Sequence, residues 1–394
     1  MALRTAARLE QIEPFYVMEF GRAAAELARS PACADKPMVF LNIGEPDFTA
    51  PPLVREAAER ALRDGRTQYT DACGLPALRE RIGGWYAQRF GLSVDPRRIV
   101  VTAGASAALQ LACLALVDHD DEVLLPDPSY PCNRHFVSAA EGVPVLLPAP
   151  AEARFQLSAD AVRAAWGPRT RGVLLASPSN PTGTSIDPAE LGRIVAAVRE
   201  RSGFTIVDEI YLGLSFDERY GHSALAHGDP HGDDVISVNS FSKYFSMTGW
   251  RLGWLVLPES LVPAVEKLAQ NLYICASSIA QRAAIACFEP ESIAEYERRR
   301  AEFRARRDFL VPALATLGLP VPVMPDGAFY AWADCSAHSP NSWDFCFDMM
   351  NRAHVAMTPG RDFGRIGAER SVRLSYASAM PQLQLAVERL RAAL

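Results

Sequence analysis

The sequence predicts an α/β protein with a mostly parallel, seven-stranded sheet flanked by helices, followed by a smaller α+β domain. Apolar runs of strand length alternate with helical or loop stretches, which is typical of a sheet covered on both faces. After about Cys287 the pattern changes to a long charged helix and short strand-like segments, which indicates the second domain. The predicted strands of the sheet lie near residues 99–101, 122–125, 143–147, 172–175, 204–207, 235–238 and 252–256.

The chain opens with an arm that contains an apolar turn at residues 12–18 and a helix to about Ala28. Residues 53–64 then predict an amphipathic helix that ends at Gly65. We assign residues 1–45 to the arm and part of the small domain, residues 46–287 to the large domain and residues 288–394 to the small domain.

Helix signals support the alternation of strands and helices. Asp187 is a suitable helix cap, Pro188 suits a first turn, and Gly203 suits the end of that segment. In the small domain we expect a long helix from Ser292 to Leu317 that is interrupted at Pro312. Strand-like segments at 327–332, 355–357 and 372–375 and a final helix to Leu394 complete the chain.

Composition excludes several classes of function. The 394 residues are 49% hydrophobic and 22% charged with a formal charge of -6, which argues against nucleic acid as a partner. The first twenty residues carry charges among their apolar positions, so we expect neither a secretory signal nor a membrane span, and we predict a cytoplasmic protein. The eight cysteines contain no CxxC pair and are expected to be reduced thiols. His222, His227 and His231 lie in a Gly-, Asp- and Pro-rich segment, where we expect a loop and no metal site.

One lysine stands out because the sequence contains only three, Lys36, Lys243 and Lys267, among 40 basic residues. Lys243 lies in an apolar, hydroxyl-rich stretch, Ser240-Phe241-Ser242-Lys243. An amine can lose its proton and attack a carbonyl, whereas a guanidinium stays protonated. Lys243 is therefore our candidate for covalent chemistry, and Arg251 is a candidate ligand for an anion such as phosphate.

Polar motifs come directly after five of the predicted strands. Because the carboxyl ends of parallel strands share one edge of a sheet, and because ligands bind at that edge, we expect these motifs to converge on one site. The motifs occupy residues 102–106, 126–130, 177–183, 208–211 and 239–243.

These motifs resemble those of the class I/II aminotransferases of pyridoxal-phosphate fold type I, the group that is similar to aspartate aminotransferase. The likeness runs from about residue 12 to the C-terminus. Two positions belong to variable parts of the family pattern, Ala105-Ser106 at the phosphate turn and Tyr130 at the ring-stacking position. The motifs that carry the resemblance are Asn42-Ile43-Gly44-Glu45-Pro46-Asp47-Phe48, Thr67-Gln68-Tyr69-Thr70, Ser177-Pro178-Ser179-Asn180-Pro181-Thr182-Gly183, Asp208-Glu209-Ile210-Tyr211, Ser240-Phe241-Ser242-Lys243, Gly249-Trp250-Arg251 and Val372-Arg373-Leu374-Ser375-Tyr376.

The resemblance implies pyridoxal 5'-phosphate as the cofactor and Lys243, Asp208 and Tyr211 as catalytic residues. Lys243 would form a Schiff base with the cofactor aldehyde and then move the proton between the substrate and the cofactor. Asp208 would keep the ring nitrogen protonated. Asn180 and Tyr211 would hydrogen-bond the phenolic oxygen, and Tyr130 would stack on the ring.

The resemblance also implies the remaining contacts. Arg373 would bind the substrate α-carboxylate, with Asn180 and Gly44 beside it. Tyr69 would reach the phosphate bound by the other subunit, so a homodimer is implied. The cofactor phosphate would be held by Ala105, Ser106, Ser240, Ser242 and Arg251.

The implied function is transfer of an amino group from an L-amino acid to a 2-oxo acid by a ping-pong mechanism. A C–S β-lyase or another amino-acid-processing enzyme of the same fold remains the alternative. A transcription regulator would need a DNA-binding domain ahead of the first motif, and a Walker loop would need a Gly-Lys pair; we expect neither.

We expect a monocarboxylic donor with a small or apolar side chain, because residues 15–18 offer an apolar wall. A dicarboxylic donor would need a second cation, for which Arg22 and Arg361 are the candidates.

Overall fold

The computed structural model describes residues 3–228 and 234–394. Within them the chain forms twelve α-helices, connected by strands and short 3₁₀ turns. The helices are α1 Tyr16–Ala28, α2 Pro52–Arg63, α3 Pro76–Phe90, α4 Ala105–Leu116, α5 Pro131–Ala139, α6 Ala159–Ala165, α7 Pro188–Arg199, α8 Val262–Leu272, α9 Ser278–Ala284, α10 Pro290–Thr316, α11 Ser342–Arg352 and α12 Met380–Ala393.

The same residues form twelve strands in three sheets. Seven strands form the large sheet in the order β2-β8-β7-β6-β5-β3-β4, with β8 antiparallel to both neighbours and the other pairings parallel. This confirms the predicted fold class. The strands are β1 Val39–Phe40, β2 Ile99–Thr102, β3 Glu122–Asp127, β4 Val143–Pro148, β5 Thr170–Ala176, β6 Phe204–Asp208, β7 Val235–Ser240, β8 Gly253–Val256, β9 Tyr330–Asp334, β10 Val355–Ala356, β11 Thr358–Pro359 and β12 Ser371–Ser375.

Of the two small sheets, one joins the beginning of the chain to its C-terminal part and the other consists of C-terminal strands. β1 pairs in parallel with β10, and β12 lies antiparallel between β11 and β9. The backbone N–H of Ser375 also donates to the carbonyl of Leu41 at 2.7 Å. Residues near 40 therefore pack with the C-terminal elements, and the proposed domain bounds of 1–45, 46–287 and 288–394 remain our prediction.

The start of α7 agrees with the residues that predicted it. The Asp187 side chain accepts a hydrogen bond from the N–H of Ala189 at 3.0 Å and caps α7, and Pro188 occupies the first turn. The amphipathic helix expected at residues 53–64 is α2.

The predicted interruption at Pro312 is wrong, because α10 continues through that proline. Leu310 and Leu314 on either side of it are fully buried in the main hydrophobic core, and this packing holds the helix together where the proline removes a backbone donor. Helix α10 also anchors the loop after β1. The buried guanidinium of Arg306 forms two hydrogen bonds to Asp47, at 2.8 and 2.9 Å, and thereby positions residues 44–48 beside the large sheet.

Candidate active site

A cavity of about 320 Å³ lies at the carboxyl edge of the parallel strands. Each of the five polar motifs contributes to its wall, since these motifs come after β2, β3, β5, β6 and β7, which run in the same direction. The loop after β1, the N-terminal arm and strands β9 and β12 close the cavity from the other side. Its lining includes Phe15, Val17, Met18, Ile43, Gly44, Glu45, Ala105, Ser106, Tyr130, Asn180, Asp208, Tyr211, Ser240, Ser242, Lys243, Arg251, Tyr330 and Arg373.

Lys243 comes after β7 and points into this cavity. Its Nζ atom donates a hydrogen bond to the carbonyl oxygen of Gly44 at 2.6 Å. Burial lowers the pKa of the amine to about 8, with Arg373 and Arg251 acting in the same direction and Glu45 opposing them. More of the amine is therefore uncharged near neutral pH than in an ordinary lysine, and the neutral form is the one that acts as a nucleophile.

Asp208 is the last residue of β6 and is only 4% exposed. Burial raises the pKa of its carboxyl group to about 7. The hydrogen bond from the N–H of Ile210, at 3.2 Å, and the positive charge of Lys243 act in the opposite direction and lower this pKa. Within the described residues no Arg, Lys or His forms an ion pair with this carboxylate. A buried carboxylate of this kind gains stability from a cationic partner that a ligand supplies.

An anion site lies at the N-terminus of α4. Gly104 precedes the helix with a φ of +84°, and no side chain caps the first turn, so the backbone N–H groups of Ala105 and Ser106 remain as donors. Arg251 lies against this turn, since a Cβ atom on Gly104 would be 2.7 Å from its Nη2 atom. The hydroxyl of Ser240 accepts from the N–H of Ser242 at 3.0 Å and completes the polar rim. Helix dipole, amides, hydroxyls and guanidinium together suit a phosphate. Helix α4 begins at Ala105, directly at this turn.

The wall between these two ends carries aromatic and amide groups. Tyr130 precedes α5, and its ring meets the ring of Phe15 edge to face at 6.2 Å. The hydroxyl of Tyr211 lies 2.8 Å from the hydroxyl of Tyr330. Asn180 uses its side-chain oxygen to accept from Arg373, which leaves its amide N–H groups as donors. Both a ring face and donors for a ring oxygen are therefore present.

Arg373, on β12, is 2% exposed. Its Nη1 donates to the side-chain oxygen of Asn180 at 2.9 Å, and its Nη2 donates to the carbonyl of Asn42 at 2.8 Å. Its Nε is buried and has no hydrogen-bond partner. No carboxylate in the described part of the chain forms an ion pair with it, so this buried cation is suited to a carboxylate from a substrate.

The arm that closes the cavity is held by Asp362. Its carboxylate accepts hydrogen bonds from the backbone N–H groups of Tyr16, at 3.1 Å, and Val17, at the start of α1. Burial raises the pKa of this carboxyl group to about 6. The cap fixes the beginning of the helix whose residues Val17 and Met18 line the cavity.

Three candidate residues from the sequence lie outside the cavity. Tyr69 is 77% exposed and does not line the cavity of its own chain. Arg361 lies over the rings of Tyr16 and Trp343, at 4.3 and 4.8 Å. Arg22 is also absent from the cavity wall. Neither arginine therefore supplies a second cation inside the site.

The fold brings to the site several groups that the sequence did not indicate. The carbonyl of Asn42 and the hydroxyl of Thr358 accept from Arg373, the latter at 3.3 Å. Tyr330 bonds to Tyr211, and the ring of Phe363 lies 4.9 Å from the guanidinium of Arg373. Tyr330 is predicted from the sequence only as one residue of a strand, and Asn42 only as part of a family motif. No local signal distinguishes Thr358 or Phe363 as a site residue.

Two further features concern residues 3–228 and 234–394. No group of three or more His, Cys, Asp or Glu side chains there is arranged to hold a metal ion. His231, one of the three clustered histidines, lies outside the described residues. None of the described helices is both long and apolar enough to cross a membrane.

The residues fit the cofactor that the resemblance implies. Pyridoxal phosphate carries an aldehyde, a ring nitrogen, a phenolic oxygen and a phosphate. The Lys243 amine suits the aldehyde, and the buried Asp208 carboxylate suits the ring nitrogen. The amide and hydroxyl donors of the wall suit the phenolic oxygen, and the anion site at the N-terminus of α4 suits the phosphate.

Comparison with known proteins places the chain among relatives of one kind. A family model described as aminotransferase class I and II matches residues 36–390. The chain is 38% identical over 379 residues to a valine–pyruvate aminotransferase of Mycobacterium tuberculosis, covering 96% of each protein. It is 33% identical to an aspartate aminotransferase of Rhizobium meliloti, covering 98% of this chain and 95% of the relative.

Solved structures give the same result at the level of the backbone. An aminotransferase from Mycobacterium tuberculosis superposes with a TM-score of 0.93 at 37% identity, covering 99% of both chains. The aspartate aminotransferase of Thermus thermophilus, solved with maleate, superposes with a TM-score of 0.92 at 33% identity over the full length of both chains.

Proposed function

Because the chain belongs to the class I and II aminotransferases and is therefore a transaminase, we propose that it moves an amino group from an apolar L-amino acid to a 2-oxo acid through pyridoxal phosphate bound at Lys243. The observation that carries this proposal is the position of Lys243. Its amine, with a pKa lowered to about 8, lies in one cavity with a buried carboxylate, Asp208, and a buried guanidinium, Arg373.

Pyridoxal phosphate supplies an aldehyde that captures amines and a ring that withdraws electrons from the carbon next to the captured nitrogen. Asp208 holds a proton on the ring nitrogen, since pairing with that cation offsets the cost of burying its own charge. The side chains of Asn180 and Tyr211 would donate to the phenolic oxygen, and Tyr130 would stack on the ring. The phosphate would be held by Ala105, Ser106, Ser240, Ser242 and Arg251.

Lys243 has two tasks in this proposal. Its Nζ would hold the cofactor through the aldehyde. When free of the cofactor, the same amine would accept and return the proton at the substrate Cα. The hydrogen bond to the Gly44 carbonyl keeps Nζ inside the cavity while this occurs. By the ping-pong mechanism the donor leaves as a 2-oxo acid before the acceptor binds.

The substrate carboxylate binds Arg373, and the side chain faces the arm. Phe15, Val17, Met18 and Ile43 form an apolar wall, and the cations that the described residues place in the cavity, Lys243, Arg251 and Arg373, all have other roles. A distal carboxylate would therefore be desolvated without a partner, which is costly. The relative described as a valine–pyruvate aminotransferase supports an apolar donor and a monocarboxylic acceptor.

A homodimer forms part of the proposal. Tyr69 is 77% exposed on the surface of its own chain. Its position therefore leaves it free to pack against a second copy of the chain, in which Tyr69 would reach the phosphate held by the partner.

A panel of amino donors tests the proposed substrates. We expect valine, alanine and leucine to bleach the visible absorbance of the cofactor-loaded enzyme rapidly, with release of the matching 2-oxo acid, and aspartate to react slowly. Pyruvate then restores the absorbance. Fast reaction with aspartate alone would contradict the substrate assignment. Ammonia and pyruvate released from a cysteine-type donor would favour the β-lyase.

A further inference from the structure

Tyr330 is a buried tyrosine at the start of β9, and its hydroxyl contacts the hydroxyl of Tyr211. Its hydroxyl lies 2.8 Å from that of Tyr211, and the two rings meet nearly at right angles, with centroids 5.6 Å apart. Tyr330 and Tyr211 are 1% and 3% exposed, so water does not compete for this hydrogen bond. The role of Tyr330 rests on the proposed function, in which Tyr211 donates to the phenolic oxygen of the cofactor.

The ring of Tyr330 also contacts Arg373, the residue proposed to bind the substrate carboxylate. The guanidinium carbon of Arg373 lies 4.5 Å from the centre of this ring. The strand register explains the contact, because Arg373 on β12 pairs with Trp332 on β9, and Tyr330 lies two residues away on the same face. A cation over an aromatic ring is attracted to it, and more strongly when both are buried.

The third neighbour of Tyr330 is Gly44. A Cβ atom at Gly44 would lie 2.9 Å from the Tyr330 hydroxyl and 4.0 Å from Nη2 of Arg373. The Gly44 carbonyl accepts from Lys243. Glycine is therefore required for the close approach of this backbone to the tyrosine and the arginine.

The arrangement of donors indicates a direction for the hydrogen bond. A hydroxyl donates one hydrogen. If Tyr211 donates its hydrogen to the phenolic oxygen, it has to accept one from Tyr330. We propose that Tyr330 is a positioning residue that donates to Tyr211 through its hydroxyl and supports Arg373 through its ring. One rigid side chain then positions both the residue that contacts the cofactor and the residue that binds the substrate carboxylate.

Hydrogen bonds in a chain polarise one another, so donation from Tyr330 makes Tyr211 a better donor. A better donor stabilises negative charge on the phenolic oxygen and lowers the affinity of the lysine-bound cofactor for a proton. Loss of the Tyr330 hydroxyl therefore raises the pH midpoint at which the visible absorbance of the loaded enzyme changes.

The test is the pH titration of this absorbance in the cofactor-loaded enzyme. Tyr330→Phe removes the hydroxyl and keeps the ring, and we expect the midpoint to rise by about 0.5 to 1 unit. In a Tyr211→Phe background the same change should have no further effect, since the hydroxyl that relays it is gone. Tyr376→Phe is the matched control, because this buried hydroxyl donates to the Gly327 carbonyl, at 3.4 Å, and we expect no shift.

The ring is tested separately by steady-state kinetics. Tyr330→Leu removes the surface beneath Arg373, and we expect the KM for the amino donor to rise roughly 3- to 10-fold above that of Tyr330→Phe. Equal KM values in the two variants would overturn the assignment of the ring.

The outcomes separate this inference from the function on which it rests. A wild-type protein that binds no pyridoxal phosphate overturns both. A wild-type protein whose absorbance titrates, with an unchanged midpoint in Tyr330→Phe, overturns the role of the hydroxyl alone. Equal shifts of the midpoint in the wild-type and Tyr211→Phe backgrounds also overturn it, because the effect would then not pass through Tyr211.

Discussion

The side-chain nitrogen of Lys243 lies 2.6 Å from the carbonyl oxygen of Gly44, although the two residues are 199 positions apart in the sequence. The contact crosses from the end of a strand in the large sheet to the loop after β1. The amine is thus held by a neutral acceptor, while burial lowers its pKa to about 8.

This contact leads to a prediction about pH. A lowered amine pKa means that the protonated form predominates below about pH 8 and the neutral, reactive form above it. The rate at which the cofactor-free protein captures pyridoxal phosphate should therefore rise as the pH increases through this value, as stopped-flow absorbance will measure. Lys243→Arg should show no capture, and Lys267→Arg, which changes an exposed lysine, should behave as wild type. A rate that does not depend on pH would contradict the assignment.

Replacing Asp208 by Ala should leave cofactor binding intact and slow removal of the Cα proton by at least about 100-fold, because the ring nitrogen loses its buried anionic partner. Single-turnover bleaching with a good amino donor measures this rate. Asp187→Ala is a suitable control, since it removes the cap of α7 and should lower the free energy of unfolding by about 1 kcal/mol without changing the rate. A normal rate in Asp208→Ala would refute the proposed pairing.

A methyl group added at Gly104 should weaken cofactor binding. Its Cβ would lie 2.7 Å from the Arg251 guanidinium, and the φ of +84° is unfavourable for alanine. Equilibrium dialysis should show at least about a 10-fold higher Kd for pyridoxal phosphate. Gly84→Ala serves as the control, because this glycine lies within α3 and, apart from its own helix, no atom of the described residues lies within 4 Å of the added carbon. The variant should keep the wild-type Kd and gain about 0.5–1 kcal/mol of stability.

A cation placed on the apolar wall should shift the substrate preference. Met18 lines the cavity and is 56% exposed, so Met18→Arg provides a guanidinium for a distal carboxylate without burying it. We expect the ratio of kcat/KM for aspartate to that for valine to rise about 10-fold or more. Met324→Arg, at a residue that is 48% exposed and outside the cavity, should leave this ratio unchanged. An unchanged ratio in both variants would contradict the proposed position of the substrate side chain.

Mixed dimers test the role of Tyr69. Lys243→Ala subunits have no reactive amine, whereas Tyr69→Ala subunits keep the amine but lose the proposed phosphate contact. If Tyr69 acts across the interface, a mixed dimer contains one complete site, so refolding the two variants together should recover activity that neither has alone. If Tyr69 acts within its own chain or at no phosphate, the mixture should be no more active than the average of its components.

The sequence indicated the central architecture because the relevant signals are local. Apolar runs such as 204–207 show a buried strand, and Asp187-Pro188 shows the start of a helix. The carboxyl ends of parallel strands share one edge, so the motifs that contain Asp208 and Lys243 could be assigned to one site from their positions after strands. The scarcity of lysine and the hydroxyl-rich stretch around Lys243 distinguish this residue in the sequence alone.

Only the tertiary structure decided which distant groups complete that site. Tyr330 meets Tyr211, and the Asn42 carbonyl meets Arg373, through strand register and long-range packing that no local periodicity encodes. Likewise, α10 continues through Pro312 because the flanking leucines are buried, and this packing outweighs the loss of one backbone donor. The sequence determined which segments become strands and helices and which motifs come after them; the packed structure determined which side chains touch, because a contact depends on the positions of both partners in space.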